Sequence, residues 1–446
     1  MKPMKLHQKF VMKLIKEHLN NNIKTTAMLS IKQRLIYMNF LQFFVWGAWL
    51  ITIANYWFDT KHWSPSEFGA IFSTLGISSL FMPTIMGILA DRWVNVEKLY
   101  AILHIFGGLL LAYIPFVSNS SDFFWVIFFA MMCYMPTIAL SNSISYSTLK
   151  NNNLDIVKDF PPIRVWGTIG FIAAMWVTNL TGNKASENQF YIAAISAILL
   201  GIYSFTLPKC PPQMTSAKSK KLDEIIGLDA FKLFKTYKMA LFFLFSMLLG
   251  AALQLTNMYG DVYLSEFKNI EAYKNLWVVE HSTIIMSISQ VSETLFILAI
   301  PFFLKRFGIK RVMLISMFAW VLRFGLLSYG NPAEGLWMII VSCIVYGMAF
   351  DFFNVSGSLF IETTTSSRIR SSAQGLFMMM TNGFGAILGS FSSGIIIEKF
   401  YKLADGGNDW KGIWLLFATY ALIVALLFAL FFKHKHDPNE RVEINH

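Results

Sequence analysis

Apolar stretches of about 20 residues, the length that crosses a ~30 Å hydrocarbon core as a helix, recur along the whole chain. Twelve can be counted, at residues 34–57, 66–90, 98–117, 122–148, 162–180, 189–208, 239–265, 281–304, 310–329, 335–362, 370–398 and 412–433. Only 14% of the 446 residues are charged and 55% are hydrophobic, whereas soluble domains carry about 25% charged residues. The sequence therefore predicts an all-α integral membrane protein with twelve transmembrane helices.

The net charge of +11 is distributed unevenly along the chain. Lys and Arg concentrate in the N-terminal tail, in the long central loop and between the eighth and ninth stretches, whereas loops 117–121 and 330–334 contain none. Because positively charged loops stay in the cytoplasm, both termini and the central loop are predicted to be cytoplasmic. A nucleic-acid partner is not expected, since no basic cluster lies in a soluble domain of any size.

The longest polar interruption follows the sixth stretch and divides the chain into two halves. The predicted parts are a basic tail (1–29), an N-terminal bundle (30–208), a central loop (209–238), a C-terminal bundle (239–433) and a C-terminal tail (434–446). Such an arrangement is typical of transporters that bind their substrate between two bundles, near the membrane midplane. Within the loop, residues 222–234 have helical spacing and are predicted to lie along the cytoplasmic face.

A charged motif stands between the second and third stretches. The segment GILADRW places Gly87, Asp91 and Arg92 in a G-x-x-x-D-R pattern. Gly87 is expected to allow close helix approach, and Asp91 and Arg92 to make and break charge pairs in a gate. On a chain of six plus six stretches, this motif resembles the signature of the major facilitator superfamily.

Polar side chains also fall inside apolar stretches, where each charge costs about 2.5–3.5 kcal/mol and usually faces a cavity or a partner. Gln290 and Glu293 are three residues apart in the eighth stretch and share one helix face. Gln254 and Asn257 repeat this spacing in the seventh stretch. Amides and a carboxylate along one wall suit the edges of a nucleobase or the hydroxyls of a sugar. The alternative for the two amides of the seventh stretch is hydrogen bonding between helices.

The tenth stretch combines two aromatic rings with an acid. Tyr346 and Phe350 are four residues apart, so that their rings could hold a flat ligand between them. Core packing is the alternative interpretation of the two rings. Asp351 follows directly, and an acid within the membrane indicates a functional role.

In the fifth stretch, Arg164, Thr168 and Phe171 follow one helical stripe, and Pro161 and Pro162 are expected to begin the helix. Arg164 is either a boundary residue that snorkels to the membrane surface or the cation that offsets an acid in the cavity. In the first stretch, Gln42 and Trp46 are weaker candidates for the site.

Motifs of soluble enzymes, such as G-x-S-x-G, H-E-x-x-H and the Walker A loop, do not occur in the sequence. The cysteines Cys133, Cys210 and Cys343 lack the spacing of metal ligands. No cofactor, metal ion or enzymatic activity is therefore expected. Gly385 and Gly389 in NGFGAILGS are interpreted as sites of close helix packing.

From about Ser30 to Lys435 the chain resembles the nucleoside:proton symporters of the major facilitator superfamily. The resemblance rests on FLQFFVWGAWL, GILADRW, DIVKDFPPIRVWGTIGF, FSMLLGAALQLTNMYG, IIMSISQVSETLFIL, IVYGMAFDFFNVSGS and SAQGLFMMMTNGFG. It implies a monomeric importer of two six-helix bundles with pseudo-two-fold symmetry. Such an importer takes purine and pyrimidine nucleosides, uridine and adenosine among them, across a bacterial inner membrane with protons.

By the family pattern, the ligand contacts would be Arg164, Thr168, Phe171, Gln254, Asn257, Gln290, Glu293, Tyr346 and Phe350. Glu293 and Asp351 are the two candidates for carrying the coupled proton. Ala252 is the one departure, because the family has an acid there. Three alternatives stay open: a carrier for a sugar or drug, a sensor that binds nucleosides without flux, and a membrane enzyme that uses one of these acids.

Overall fold

The computed structural model describes residues 31–212, 228–366, 369–404 and 406–434. Within these ranges helices are joined by turns and loops, and the only strand-like pairing is an isolated bridge between Lys402 and Asn408. The basic tail 1–29 and nearly all of the tail 434–446 lie outside the described residues. The central loop is described at its two ends, where Leu228–Lys235 forms a 3-10 helix.

Nine helical segments of the described residues are long and apolar enough to cross a membrane. One of them, Ser282–Tyr329, consists of two helices that meet at Gly308, where a φ of 73° interrupts the helical backbone. Residues 31–60 and the shorter helix Asn188–Ser204 supply two further crossings. The described chain therefore makes the twelve predicted crossings.

In chain order the helices are α1 (31–47), α2 (Pro65–Arg92), α3 (Val96–Tyr113), α4 (Ser120–Asn151), α5 (Ile156–Leu180), α6 (Asn188–Ser204), α7 (Tyr237–Glu266), α8 (282–307), α9 (309–329), α10 (Leu336–Thr364), α11 (Arg370–Met378, a π-helical turn Met379–Gly385, and Ala386–Phe400) and α12 (Trp410–Phe431). After a turn, α1 continues as Ile53–Asn55 and the π-helical Tyr56–Thr60. We call the face that carries the described chain ends the terminal face, and the opposite one the distal face.

Local sequence explains where the helices begin. At α2 the side chain of Ser64 accepts from the backbone of Glu67, the Glu67 side chain accepts from the backbone of Ser64, and Pro65 occupies the first turn. The prediction that Pro161 and Pro162 begin the fifth helix is wrong. α5 starts at Ile156, because Asp155 upstream accepts the backbone N–H of Lys158 through its carboxylate.

α1–α6 and α7–α12 form two bundles, which meet along α1 with α7, α2 with α11, and α5 with α8. Within the C-terminal bundle, α11 lies close against α7. A Cβ on Gly385 would lie 2.5 Å from the carbonyl oxygen of Met247, and one on Gly389 would lie 2.6 Å from that of Ala251. The prediction that these two glycines serve close helix packing is confirmed.

Glycines also bring the two bundles together from the middle of α2 and α11 to their distal ends. A Cβ on Gly76 would lie 2.7 Å from the carbonyl oxygen of Gly383. A side chain at Gly69 would collide with the backbone of Ser390, and one at Gly394 would lie 3.1 Å from the Cα atom of Gly69. We call the contact of Gly69, Gly76, Gly383 and Gly394 the glycine seal.

The same two helices separate toward the terminal face. Gly87 on α2 and Gly375 on α11 have no described atom of another segment within 4 Å of where a Cβ would stand. The close helix approach expected at Gly87 is therefore wrong for this conformation. Because α2 and α11 touch at the distal face and diverge from it, the space between the bundles opens toward the terminal face.

Hydrogen bonds reinforce the distal contact. The side chain of Asn55, at the end of α1, donates to the carboxylate of Asp261 on α7, and both residues are fully buried. The ammonium group of Lys184, in the loop after α5, donates to the carbonyl oxygen of Glu280 at 2.7 Å and to the hydroxyl of Ser282 at 3.1 Å. Burial lowers the pKa of Lys184, and the nearby carboxylate of Asp261 opposes this shift. We call Asn55, Asp261, Lys184 and Glu280 the distal lock.

Candidate functional site

Glu293 lies where α8 and α10 are in close contact. A Cβ on Gly347 of α10 would lie 2.6 Å from the carbonyl oxygen of Ser292 on α8. The next residue along α8 is Glu293, which is half-buried, and the residue before Gly347 is Tyr346. Glu293 lies near Tyr346 and near the buried carboxyl of Asp351, so that a charge on one of the two acids affects the other.

The N-terminal bundle reaches the same level of the membrane through α5. The indole N–H of Trp176 donates to the hydroxyl of Ser287 at 2.9 Å, which fixes how α5 and α8 are aligned. Glu293 lies six residues further along α8. Because the two helices are antiparallel and have the same rise per residue, Glu293 is level with Thr168 and Phe171.

Arg164 supplies a cation to this region from α5. Its charge interacts with that of Glu293 across the bundle interface, although the described residues contain no ion pair between them within 4.0 Å. The guanidinium lies over the ring of Phe43, with its Cζ atom 4.0 Å from the ring centroid. This placement favours the interpretation of Arg164 as the cation that offsets an acid in the cavity over that of a boundary residue that snorkels to the membrane surface.

Aromatic side chains of α1, α4 and α5 surround the N-terminal side of the site. The ring of Phe171 meets that of Trp46 edge-on at 6.4 Å, and Trp46 lies 5.3 Å from Tyr134. The indole nitrogen of Trp46 is buried and has no partner among the described residues. A hydrogen-bond donor is thus available beside Phe171.

The predicted site is rich in polar atoms that the protein leaves unpaired. The side-chain oxygens Oε1 of Gln254, Oε1 of Gln290 and Oδ2 of Asp351 are buried and have no hydrogen-bond partner within the described ranges. A buried polar atom without a partner costs about 1–3 kcal/mol, and native proteins leave few of them. Such atoms on three neighbouring helices indicate a site that a ligand or water completes.

The rings of Tyr346 and Phe350 are parallel, 7° apart in angle, with centroids at 6.0 Å. A flat ligand between two rings needs about 7 Å, twice the usual carbon–carbon contact distance, so the expected sandwich is wrong for this conformation. The two rings instead offer aromatic surface, which we call the Tyr346–Phe350 face, against which a base can lie. Phe350 also lines a cleft of about 280 Å³ whose polar lining includes Asn354 and Asn382.

The other predicted residues fall into two groups. Asn257 is half-buried on α7, on the same helix face as Gln254. The motif residues Asp91 and Arg92 lie apart from the site at the terminal end of α2, where Arg92 is 6.0 Å from the ring of Trp93. Neither forms an ion pair with a described residue in this conformation, so that a gating role for them stays a prediction.

A hydrogen-bonded cluster around Gln42 supports the aromatic side of the site. The amide nitrogen of Gln42 donates to Thr137 at 2.9 Å, and its amide oxygen accepts from the hydroxyl of Tyr100 at 2.6 Å and lies 2.8 Å from His104. The hydroxyl of Tyr134 donates to the Gln42 carbonyl oxygen. Gln42 was a candidate from the sequence, whereas Tyr100 and His104 were not, although their spacing of four residues places them on one helix face.

Arg323 on α9 was also missed. It is 1% exposed and contacts the ring of Tyr346. An arginine inside an apolar stretch is a signal by itself, so that Arg323 could have been found from the sequence.

Comparison with known proteins places the chain among transporters. The sequence model described as "Nucleoside H+ symporter" matches residues 29–437. The nucleoside permease NupG of Escherichia coli is 49% identical over 409 residues, which cover 92% of this chain and 97% of that protein. The xanthosine permease of the same organism is 49% identical over 413 residues, covering 92% and 98%. A crystal structure of nucleoside transporter NupG superposes with a TM-score of 0.85, covering 91% of this chain and 100% of NupG.

Proposed function

Since the chain belongs to the nucleoside H+ symporter family, we propose that it imports purine and pyrimidine nucleosides together with protons by alternating access. Family membership and the match to NupG confirm the predictions of a multi-pass transporter rather than an enzyme and of the major facilitator fold. The observation that carries the proposal is the set of unpaired polar atoms on α7, α8 and α10 beside the Tyr346–Phe350 face.

Nine residues form the proposed nucleoside site. Amides and hydroxyls bind base edges and ribose hydroxyls, since they can both donate and accept, while aromatic rings stack on the base. The site consists of Arg164, Thr168, Phe171, Gln254, Asn257, Gln290, Glu293, Tyr346 and Phe350.

The coupled proton is carried by Glu293 or Asp351. Both acids lie beside the proposed ligand site, and a proton on either one reduces the cost of holding charge in the membrane. A proton that enters with a neutral solute contributes about 2.3 kcal/mol per 100 mV, which supports about fifty-fold accumulation. Proton coupling is thus sufficient to concentrate nucleosides.

We assign the protein to a bacterial inner membrane as a monomer surrounded by lipid, with no nucleic-acid partner. The basic tail 1–29, the central loop 209–238 and the tail 434–446 lie in the cytoplasm, and they flank the bundles 30–208 and 239–433. This orientation follows the positive-inside rule. It makes the terminal face cytoplasmic, so that the described conformation is inward-facing.

Uptake of radiolabelled uridine with and without a protonophore tests the proposal, in cells that carry the wild type, Glu293→Gln or Asp351→Asn. We expect saturable wild-type accumulation that the protonophore abolishes, and loss of accumulation in at least one variant. Wild-type accumulation that a protonophore leaves unchanged would rule out proton symport.

A xanthosine carrier is a second candidate, favoured by the equal identity to xanthosine permease. Competition of uridine uptake by adenosine, xanthosine and glucose separates the candidates. Competition by adenosine and xanthosine alike supports the proposal, competition by xanthosine but not by adenosine indicates a xanthosine carrier, and competition by glucose alone indicates a sugar carrier. In proteoliposomes, binding without flux would identify a sensor.

A further inference from the structure

Arg323 is a buried cation without a carboxylate partner. It is 1% exposed, and no Asp or Glu of the described ranges lies within the 4.0 Å of an ion pair. Charge in such a place must be offset by well-placed hydrogen bonds, because its hydration has been lost. A methionine or leucine would fill the same volume without this penalty, so the guanidinium itself needs an explanation.

The guanidinium donates hydrogen bonds to three other helices. One terminal nitrogen donates to the carbonyl oxygen of Ser342 on α10 at 2.7 Å and to the hydroxyl of Ser289 on α8 at 3.3 Å. The Nε atom donates to the hydroxyl of Thr256 on α7 at 3.3 Å. One side chain therefore joins the three helices of the C-terminal bundle that carry the proposed ligand residues.

Each acceptor lies next to a proposed ligand residue in the chain. Thr256 directly precedes Asn257, and Ser289 directly precedes Gln290. Ser342 lies one helical turn before Tyr346. A displacement of Arg323 would thus shift Asn257 and Gln290, which directly follow its acceptors, and Tyr346, which lies one turn from Ser342.

Arg323 also contacts the ring of Tyr346 directly. Its Cζ atom lies 4.7 Å from the ring centroid, within the range of a cation–π contact. Trp320, one turn earlier on α9, meets the same ring edge-on at 5.9 Å. With Phe350 alongside, the Tyr346 ring is held from three directions.

We propose that Arg323 is a positioning residue for the nucleoside site, which fixes the Tyr346 ring and the register of α7, α8 and α10 around it. It does not contact the ligand and acts through Tyr346 and the neighbouring amides. This inference rests on the proposed function, because it concerns the affinity of that same site.

The test compares concentration-dependent uridine uptake by wild type, Arg323→Gln and Arg323→Lys. We expect Arg323→Gln to raise KM about tenfold, the size of effect that a lost charged hydrogen bond produces, with Vmax within a factor of two. Arg323→Lys retains the charge but not the planar fork, and restores part of the affinity. Arg311→Gln, at an exposed position on the same helix, is the matched control and leaves KM unchanged.

Combination with Tyr346→Ala separates positioning from general support. If Arg323 acts through Tyr346, the double variant Arg323→Gln with Tyr346→Ala has nearly the KM of Tyr346→Ala alone. Unchanged KM in Arg323→Gln, or full additivity in the double variant, overturns the inference. If the Arg323→Gln protein does not reach the membrane, the KM of Arg323→Lys is the test. An unchanged KM in Arg323→Lys then overturns the inference. Absence of saturable wild-type uptake would instead refute the proposed function.

Discussion

From the middle of α2 and α11 to their distal ends, glycines of one bundle meet the backbone of the other, whereas in the terminal halves of the same helices Gly87 and Gly375 meet no described neighbour. The helices α2 and α11 are therefore in contact toward the distal face and separated toward the terminal face. At the closed contact the backbones lie within a few ångströms of each other, with Leu80 and Ile387 packed against the glycines. The difference shows that in this conformation the bundles are in contact at the distal face and apart at the terminal face.

Polar contacts follow the same division. Hydrogen bonds between the two bundles are concentrated in the distal half, from Asn55–Asp261 to Trp176–Ser287. To bind a ligand from the distal side, the protein must break the glycine seal and the distal lock together. The three predictions below perturb one contact at a time.

The largest effect is expected from Gly394→Leu. The new side chain would collide with the backbone of Pro65 and Gly69 on α2, which a helix backbone cannot relieve. The distal face then cannot close, and we expect the initial rate of uridine uptake to fall by at least about tenfold. Gly325→Leu on α9 is the control, since nothing described lies within 4 Å of its Cβ position; equal rates in both variants would contradict the glycine seal.

A smaller effect is expected from Asp261→Leu. This change leaves the buried amide of Asn55 without its acceptor and removes the negative charge near Lys184. A buried polar group that loses its hydrogen-bond partner costs about 1–3 kcal/mol. Because this cost falls on the closed distal face, the uptake rate should fall several-fold. Asp261→Asn, which can still accept from Asn55, should fall less. Equal uptake by wild type and both variants would show that the distal lock does not hold the bundles together.

The smallest effect is expected from Asp59→Asn. Its ion pair with Lys268 also joins the bundles, but the two side chains are 19% and 40% exposed. Exposed pairs contribute about 0–1 kcal/mol and weaken with salt. Uptake should therefore stay within a factor of about two of wild type. A loss as large as that of Asp261→Leu would mean that charge, rather than burial, holds the distal face closed.

Much of the fold could be predicted from the sequence, because length and apolarity determine which segments cross a membrane. The twelve crossings and the packing role of Gly385 and Gly389 follow from composition and local spacing. The turn that interrupts α1 and the upstream start of α5 could not be seen in apolarity, since they depend on backbone geometry and on the cap provided by Asp155.

The sequence indicates candidate site residues one at a time but not how they are arranged. Intramembrane polar groups such as Glu293 and Asp351 stand out because burying them is costly. Contacts between remote residues do not: Trp176 and Ser287, which align the bundles, are 111 positions apart. The wrong prediction of close helix approach at Gly87 has the same origin. Helical periodicity shows which residues share a face, but not whether another helix packs against that face.

The glycine seal also bears on how well a cell can hold its membrane potential. A carrier that exploits protons must prevent them from crossing when no cargo is bound. Protons travel readily along files of water, and a contact of backbone on backbone leaves no room for such a file. The glycine seal thereby blocks a proton leak through the protein. A larger side chain at one of its glycines should raise the proton conductance of the membrane in the absence of substrate, without changing which substrates are transported.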